Sequence, residues 1–277
     1  MRLFIDSANS ADIREALSHG LASGITTNPS LIAKEPPHPQ GYLGHLRDIA
    51  RGLRIPISVQ PPLDDLAASP RECVGRITGA LQTMGANLAI KIPMSWDNLP
   101  LIHAVSRIAH VNATCIFTAA QAIAAMNAGA RYVSFFWCRM RDAEPKFEPH
   151  NATNYMTCDF KALEAGVPSG YNGGGRAMDI VSLTRKLIDN HPSRVNTEII
   201  AGSIRTAEDA MDAFAAGAHI VTTNLKVLKE IASSELSMAS AAKFEEDRAR
   251  WNGLVDRMAE EPEGGETPEP QASELAP

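Results

Sequence analysis

Short runs of β-branched and other apolar residues alternate along this chain with longer segments in which apolar residues recur at helical spacing. The short runs predict β-strands, at Arg2–Asp6, Gly24–Asn28, Ile57–Gln60, Leu88–Pro93, Val111–Phe117, Tyr132–Trp137, Thr197–Ser203 and Ile220–Asn224. The segments between them predict helices, at Ser10–Ser18, Pro70–Met84, Asn98–Ala109, Ala119–Asn127, Ala177–Asn190, Thr206–Ala215 and Leu225–Ala232. This alternation favours an α/β fold, a closed (β/α)8 TIM barrel.

The runner-up fold is a doubly wound open sheet, which usually has fewer strands and a glycine-rich first turn. The segment after Asp6 is Ser-Ala-Asn-Ser and contains no GxGxxG, which weakens that alternative. Helix signals agree with the barrel. Ser10 is the predicted N-cap of the first helix, and the repeated Ala-Gly-Ala strings predict that Gly129 and Gly217 lie just past helix ends.

Two stretches do not fit a minimal barrel. The segment from about 139 to 176 is far longer than an ordinary βα loop, and we interpret it as an insertion after the sixth strand, at the active-site face. Residues 239–257 predict one extra C-terminal helix, and the Glu/Pro/Gly-rich segment 259–277 predicts a disordered acidic tail. We therefore expect a single barrel domain over residues 1–258.

Composition and charge narrow the classes of function. The net charge of the 277-residue chain is −6, and residues 259–277 contain six Glu and no Lys or Arg, so residues 1–258 are neutral overall. A neutral body offers no broad basic field for nucleic acid or an anionic membrane. No apolar run is long enough to span a bilayer, and the N-terminus lacks a signal-peptide pattern. The four cysteines have no CxxC spacing, which favours a reducing, cytoplasmic location, so the Asn-x-Thr triplets at Asn112 and Asn151 are interpreted as chance.

The C-terminal ends of the strands, where such barrels place their active sites, carry a small set of polar residues. They are Asp6, Thr26, Asn28, Gln60, Lys91, Thr114, Arg139, Ser203 and Arg205. Lys91 lies inside an apolar strand, where an ammonium group is costly to bury unless it is paired or neutral. A neutral amine can attack a carbonyl to form a Schiff base, so Lys91 is the candidate nucleophile. The alternative is a strand-end lysine whose ammonium reaches solvent.

Two further strand-end residues admit a functional and a structural interpretation. Asp6 could pair with Lys91 or carry protons, or it could cap the following turn. Asn28 precedes Pro29, which restricts Asn28 to an extended backbone and directs its amide outward. The same dipeptide is also typical of a plain Asn-Pro turn.

The residues beyond strands six and seven suggest an anion site. Arg139 and Arg205, with the hydroxyl of Ser203, could hold a phosphate, because the guanidinium group binds phosphate through two hydrogen bonds. Surface arginines without a ligand would look the same. The histidines show no HExxH pattern, so we expect no metal site, and the chain has neither a P-loop nor a GxSxG motif.

Five short motifs occur along the chain in a specific order. They are Phe4-Ile-Asp-Ser-Ala-Asn9, Gly24-Ile-Thr-Thr-Asn-Pro-Ser-Leu-Ile-Ala33, Ala89-Ile-Lys-Ile-Pro-Met94, Gly202-Ser-Ile-Arg205 and Lys226-Val-Leu-Lys229. Together they resemble the small transaldolase and fructose-6-phosphate aldolase family, over residues 1–139 and 177–255. The resemblance implies a class I aldolase barrel without cofactor or metal, in which a protonated lysine imine is the electron sink.

The same resemblance implies roles for individual residues. Lys91 would form the Schiff base, Asp6 would be the acid/base carboxylate, Asn28 would orient the substrate, and Gln60 and Thr114 would hold a catalytic water. The substrate-binding residues would be Thr26, Ser134, Phe136, Arg139, Ser203 and Arg205. Ser134 would contact the dihydroxyacetone portion, and the two arginines with Ser203 would hold the sugar phosphate.

Two departures from the family pattern bear on the reaction. Transaldolases usually have Glu at the position of Gln60, whereas the fructose-6-phosphate aldolases have Gln there, as this chain does. An amide cannot accept a proton. Phe136 is the transaldolase residue at a position where those aldolases have Tyr. The insertion adds Phe147, Tyr155, Phe160 and Tyr171, either as a lid or as a structural or oligomer-contact segment.

We therefore expect a transaldolase-type transferase of carbohydrate metabolism that moves a three-carbon ketol unit from a ketose phosphate donor to an aldehyde acceptor. One alternative is an aldolase that releases free dihydroxyacetone. Another is a non-catalytic sugar-phosphate-binding barrel, or a scaffold that displays the insertion. The small members of the family form ring-like homo-oligomers, so we also expect a homo-oligomer.

Overall fold

Parallel strands close into a barrel in this chain, in the order in which they occur in the sequence. The computed structural model describes residues 1–81, 88–142, 175–191 and 196–260. The strands are β1 (Arg2–Asp6), β2 (Ile25–Thr26), β3 (Ile57–Val59), β4 (Leu88–Pro93), β5 (His110–Ile116), β6 (Tyr132–Phe136), β7 (Glu198–Gly202) and β8 (Ile220–Thr223). Each pairs in parallel with the next, and β8 pairs with β1 to close the ring. The predicted (β/α)8 barrel is confirmed.

Helices follow the strands, and those of residues 1–231 pack their apolar residues against the outside of the barrel. They are α1 (Ser10–Ser18), α2 (Pro29–Ile32), α3 (Gly41–Ala50), α4 (Leu63–Ala68), α5 (Pro70–Leu81), α6 (Leu99–Ser106), α7 (Ala119–Asn127), α8 (Trp137–Asp142), α9 (Gly175–Asp189), α10 (Ala207–Ala215), α11 (Leu225–Ala232) and α12 (Glu235–Glu260). The chain divides into two compact units, Met1–Ile231 and the segment from Ala232 onward. The second unit begins with the predicted C-terminal helix, α12. Within the described residues, no helix is both long and apolar enough to cross a membrane.

The core follows from the alternation of side chains along each strand. Outward-facing residues such as Ile5, Ile90 and Val133 pack into one large apolar cluster with the helices. The inward-facing residues at the start of several strands form a separate, smaller cluster. These are Phe4, Ala89, Tyr132, Ile200 and Ile220. The barrel is therefore filled at its N-terminal end, as expected for a packed lumen rather than a pore.

Several predicted boundaries are wrong by one or a few residues. Asn9, not Ser10, caps α1, because its side-chain oxygen accepts hydrogen bonds from the backbone N–H groups of Ala11 and Asp12 at 2.9 and 3.2 Å. The second strand is limited to Ile25–Thr26, since Asn28 already caps the next helix. The predicted C′ positions are confirmed, because Gly129 and Gly217 both adopt φ of +99°.

The start of the predicted insertion, Arg139, lies in helix α8, which directly follows β6. Helix α8 spans Trp137–Asp142, and helix α9 begins at Gly175. The remainder of the predicted insertion, the end of the helix predicted to reach Met84 and the acidic tail beyond residue 260 lie outside the described residues. The single domain over residues 1–258 remains a prediction.

Candidate active site

Polar side chains of several strands share the barrel lumen above the apolar cluster. Because alternate residues of a strand face the same side, Asp6 follows Phe4 inward, Lys91 follows Ala89, and Ser134 follows Tyr132. The full polar set on this side comprises Asp6, Thr26, Ser58, Lys91, Asn112, Thr114, Ser134 and Thr222. The structure thus brings together five residues predicted for the site. These are Asp6, Thr26, Lys91, Thr114 and Ser134.

Lys91 is buried, with 6% of its surface exposed, and its Nζ donates a hydrogen bond to the backbone oxygen of Thr27 at 2.9 Å. Burial lowers the pKa of the Lys91 ammonium below its ordinary value, and the charge of Asp6 opposes part of that shift. Lys91 therefore does not reach out to bulk solvent. Its environment favours the neutral amine that nucleophilic attack requires.

Asp6 ends β1 beside the second strand. The hydroxyl of Thr26 donates a hydrogen bond to the Asp6 carboxylate at 2.6 Å, and the hydroxyl oxygens of Thr26 and Thr222 are also 2.6 Å apart. Asp6 is close enough to Lys91 to influence its pKa. A carboxylate held by hydroxyl groups beside a buried amine can carry protons to and from a bound substrate.

Thr114 is fully buried, and its hydroxyl has no hydrogen-bond partner among the residues that the structure describes. The next residue, Cys115, adopts φ of +60°, and the β5–β6 register shifts between Ala113 and Ile116. A buried hydroxyl without a partner costs about 1–3 kcal/mol, so a ligand or water at this position would be stabilised. This favours the predicted water site at Thr114. Gln60 lies one residue past β3, where its backbone oxygen accepts from the Tyr42 hydroxyl at 3.1 Å.

A hydrogen-bonded trio in the lumen was not predicted from the sequence. Asn112 is fully buried; its amide donates to the Ser58 hydroxyl at 3.1 Å, and its oxygen accepts from the Ser134 hydroxyl at 2.6 Å. Asn112 pairs in register with Lys91 on the neighbouring strand. The signal that could have found it is a polar residue on the lumen side of an apolar strand.

Asn28 has the predicted extended backbone and a structural role as a helix cap, and its predicted role in orienting the substrate stays a prediction. Its backbone is extended, with φ of −157° and ψ of 163°, as the following Pro29 requires. Its side-chain oxygen accepts a hydrogen bond from the N–H of Leu31 at 3.0 Å and so caps α2. Its amide NH2 is then the group able to donate to a substrate oxygen.

The predicted phosphate-binding residues lie on two neighbouring segments. Arg139, on α8, places its guanidinium carbon 4.7 Å from the ring centroid of Phe136, and that ring packs edge-on against Phe117. Ser203, with φ of +60°, and Arg205 lie in the loop between β7 and α10. Arg205 forms an ion pair with Asp142 at the end of α8, at 2.5 Å. This contact joins the segment of Arg139 to the loop of Ser203 and Arg205.

Asp209, a second residue missed in the sequence, organises that loop. It is 3% exposed and accepts hydrogen bonds from the backbone N–H groups of Arg205 and Thr206 at 3.2 and 3.1 Å. It also pairs with Arg141 of α8 and accepts from the thiol of Cys138. Burial by itself raises the pKa of Asp209, but these hydrogen bonds and the charge of Arg141 outweigh it, so the pKa is lowered. The loop is therefore held by a charged carboxylate.

A metal site would need a cluster of His, Cys, Asp or Glu side chains. Among the described residues, no three His, Cys, Asp or Glu side chains are placed to hold a metal ion. The expectation that the reaction needs neither metal nor cofactor stays a prediction.

Comparisons with known proteins agree with this geometry. Residues 3–264 match the family model described as "Transaldolase/Fructose-6-phosphate aldolase". A "Probable transaldolase" of Oceanobacillus iheyensis is 33% identical over 253 residues, covering 91% of this chain and 99% of that protein. Proteins with the same description from Pelotomaculum thermopropionicum and Caldicellulosiruptor saccharolyticus are 34% and 35% identical, covering 93% and 89% of this chain and 100% and 96% of their own lengths. On the extent of these matches, the chain belongs to the transaldolase/fructose-6-phosphate aldolase family.

Proposed function

We propose that the chain is a transaldolase-type transferase that moves a dihydroxyacetone unit from a ketose phosphate to an aldehyde acceptor through an imine on Lys91. The observation that carries the proposal is the placement of this amine. It is buried in the lumen with a lowered pKa and lies beside the Asp6 carboxylate. Family membership supports the same chemistry.

The steps follow from the groups in the lumen. The neutral Lys91 amine attacks the ketose carbonyl, and loss of water gives a protonated imine. Asp6 removes the proton of the hydroxyl beyond the bond to be broken, the carbon–carbon bond cleaves, and its electron pair moves to the imine to give an enamine. The first aldehyde leaves. The enamine carbon then attacks the acceptor aldehyde, whose oxygen takes the proton back, and water releases the ketose product and the amine.

The remaining predicted residues would bind and orient the substrate. Asn28 and Ser134 would hold its hydroxyl and carbonyl oxygens, with Thr26 and Phe136 beside them, and Thr114 with Gln60 would hold the water. Arg139, Ser203 and Arg205 would bind the phosphate, for which Asp142 competes at Arg205. A cytoplasmic location and a homo-oligomeric assembly remain part of the proposal.

Borohydride reduction in the presence of fructose 6-phosphate tests the imine. We expect a mass adduct of the reduced three-carbon unit on the peptide that contains Lys91, and no adduct in Lys91→Met. Lys243→Met is the matched control, because Lys243 is a surface lysine paired with Asp247 on α12. An unmodified wild-type protein, or an adduct that persists in Lys91→Met, would contradict the proposal.

A second candidate is the aldolase that releases dihydroxyacetone, and Gln60 favours it. An amide cannot take a proton from water as a carboxylate can, so water activation depends on another group. The ratio of free dihydroxyacetone to transferred product, measured with erythrose 4-phosphate as acceptor, separates the two reactions. We expect transfer to dominate. Release of dihydroxyacetone at the rate of donor cleavage would favour the aldolase.

A further inference from the structure

Two threonine hydroxyls form a hydrogen-bonded chain that ends on the Asp6 carboxylate. Thr26 on β2 is 1% exposed, and Thr222 on β8 is 6% exposed. The Thr26 oxygen lies 2.6 Å from the Asp6 carboxylate and 2.6 Å from the Thr222 oxygen. Thr222 faces the lumen because it lies two residues after Ile220, a member of the apolar layer at the barrel base.

The direction of these hydrogen bonds follows from counting protons. A threonine hydroxyl has one proton to donate, and an ionised carboxylate can only accept. Thr26 therefore donates its one hydrogen bond to Asp6 and has no proton left to donate to Thr222. The short contact between the two hydroxyls then requires the proton of Thr222, so donation runs from Thr222 to Thr26 to Asp6.

This order links Thr222 to the acid/base carboxylate through Thr26. A hydroxyl that accepts a hydrogen bond is a stronger donor, because neighbouring bonds in a chain polarise each other. Thr222 also fixes the rotamer of Thr26, and therefore the side of the carboxylate to which Thr26 is bound. Lys91 on β4 is near enough to Asp6 for the carboxylate to influence its pKa, so the orientation of the carboxylate also sets its relation to the reacting amine.

We propose that Thr222 is a positioning residue that orients Asp6 for proton transfer through Thr26. The inference rests on the proposed function, since it assumes that Asp6 carries the proton of the cleaved bond. It predicts an effect on the chemical step and not on substrate binding.

The test uses Thr222→Val, which keeps the shape of the side chain and removes the hydroxyl. We expect kcat for transfer from fructose 6-phosphate to erythrose 4-phosphate to fall about tenfold, a fraction of the ~10²–10⁴-fold that a positioned acid or base contributes. KM for the donor should stay within about twofold, since Thr222 acts behind the carboxylate. Thr222→Ser, which restores a hydroxyl, should recover kcat to within about twofold of wild type.

Two comparisons separate positioning from general damage. Thr184→Val on α9 removes a fully buried hydroxyl that donates to the Ile180 backbone oxygen, and it should leave kcat unchanged. In a Thr26→Val background, a further Thr222→Val change should have no additional effect on kcat, because the chain is already broken. If Thr222→Val does not fold, Thr222→Ala takes its place, since it introduces no clash.

The outcomes are distinct. A wild-type kcat in Thr222→Val, a rise in KM at constant kcat, or additive effects with Thr26→Val would overturn the inference. So would failure of Thr222→Ser to recover activity. Borohydride trapping on Lys91 is measured in the same preparations: trapping that persists with an unchanged kcat rejects only the role of Thr222, whereas wild-type protein that is never trapped rejects the proposed function together with it.

Discussion

Lys91 shows how a single residue is prepared for chemistry by its position on a strand. Its neighbours Ile90 and Ile92 face the helices and are fully buried, which fixes the lysine toward the lumen. Burial disfavours the ammonium, and the Asp6 carboxylate favours it. The protonation of the amine is thus set by the balance of these two effects, and each can be altered separately.

Replacing Asp6 by Asn should move imine formation to lower pH. A nearby negative charge stabilises the ammonium and raises the pKa of Lys91, so its removal lowers that pKa further and leaves more free amine at a given pH. Overall turnover should fall, because the proton carrier is lost. The measurement is the rate of single-turnover trapping of the imine as a function of pH. The pH at which this rate rises (the rising limb) tests the prediction, and the maximum rate does not.

Asp64→Asn serves as the control for this shift, because Asp64 is an exposed residue of α4. It should leave the rising limb where it is in the wild type. A limb in Asp6→Asn that stays in place, or moves to higher pH, would show that Asp6 does not influence the amine as the structure indicates.

Sequence reasoning found the residues whose chemistry is unusual for their surroundings. A lysine within an apolar strand and an aspartate at a strand end stand out by themselves, and the structure places both in the lumen. Asn112, Ser58 and Thr222 were missed because a small polar residue in a strand is ordinary. Their importance depends on hydrogen bonds to residues far away in the chain. Strand alternation alone would have placed them on the lumen side of the barrel, the side that Lys91 faces.

At the scale of elements, the repeated joint between a helix and the next strand depends on glycine. Gly129 follows α7 and Gly217 follows α10, both with φ of +99°, where other residues are strained. A Cβ added at Gly129 would lie 2.5 Å from the Ser106 hydroxyl oxygen of α6. That hydroxyl lies within hydrogen-bond distance of the backbone oxygens of His103, at 2.8 Å, and Ala128, at 3.2 Å, so it cannot move away without loss of these contacts.

Gly129→Ala should therefore lower the free energy of unfolding by about 2 kcal/mol or more, from backbone strain of about 1–2 kcal/mol and the steric overlap with Ser106. Gly75→Ala is the matched control. Gly75 lies within helix α5 with nothing within 4 Å of its added Cβ, and alanine there should stabilise the protein by about 0.5–1 kcal/mol. Urea denaturation of both variants measures the difference. Equal free energies of unfolding for the two variants would contradict the prediction.

Some elements were predicted with their exact bounds, and other helices were missed. β1, β4, α1, α7 and α11 begin and end where the sequence pattern predicts. Helices α2, α3, α4 and α8 were not predicted. For α2, α4 and α8, a segment of four to six residues carries little periodicity and its helix is fixed by tertiary contacts. In α8, for example, Arg141 pairs with Asp209, which lies far along the sequence.

At the scale of the whole chain, charge is unevenly distributed. Residues 259–277 carry six glutamates and no Lys or Arg, while the rest of the 277-residue chain sums to zero. Attraction of an anionic substrate therefore depends on local groups such as Arg139 and Arg205, and the latter is already paired with Asp142. The acidic segment would repel phosphate only within a Debye length, about 8 Å at physiological salt.

A chain that ends at residue 258 should therefore keep the kcat and KM of the full chain at physiological salt, because the groups assigned to catalysis, to its positioning and to phosphate binding all precede residue 223. Removing six negative charges should weaken its retention on an anion exchanger. A full-length variant with these glutamates changed to glutamine is the matched control, since it alters charge and keeps length. If the three proteins have the same kcat and KM and the shortened chain folds, the result supports one domain over residues 1–258. A loss of activity in the shortened chain but not in the glutamine variant would instead assign a structural role to the segment.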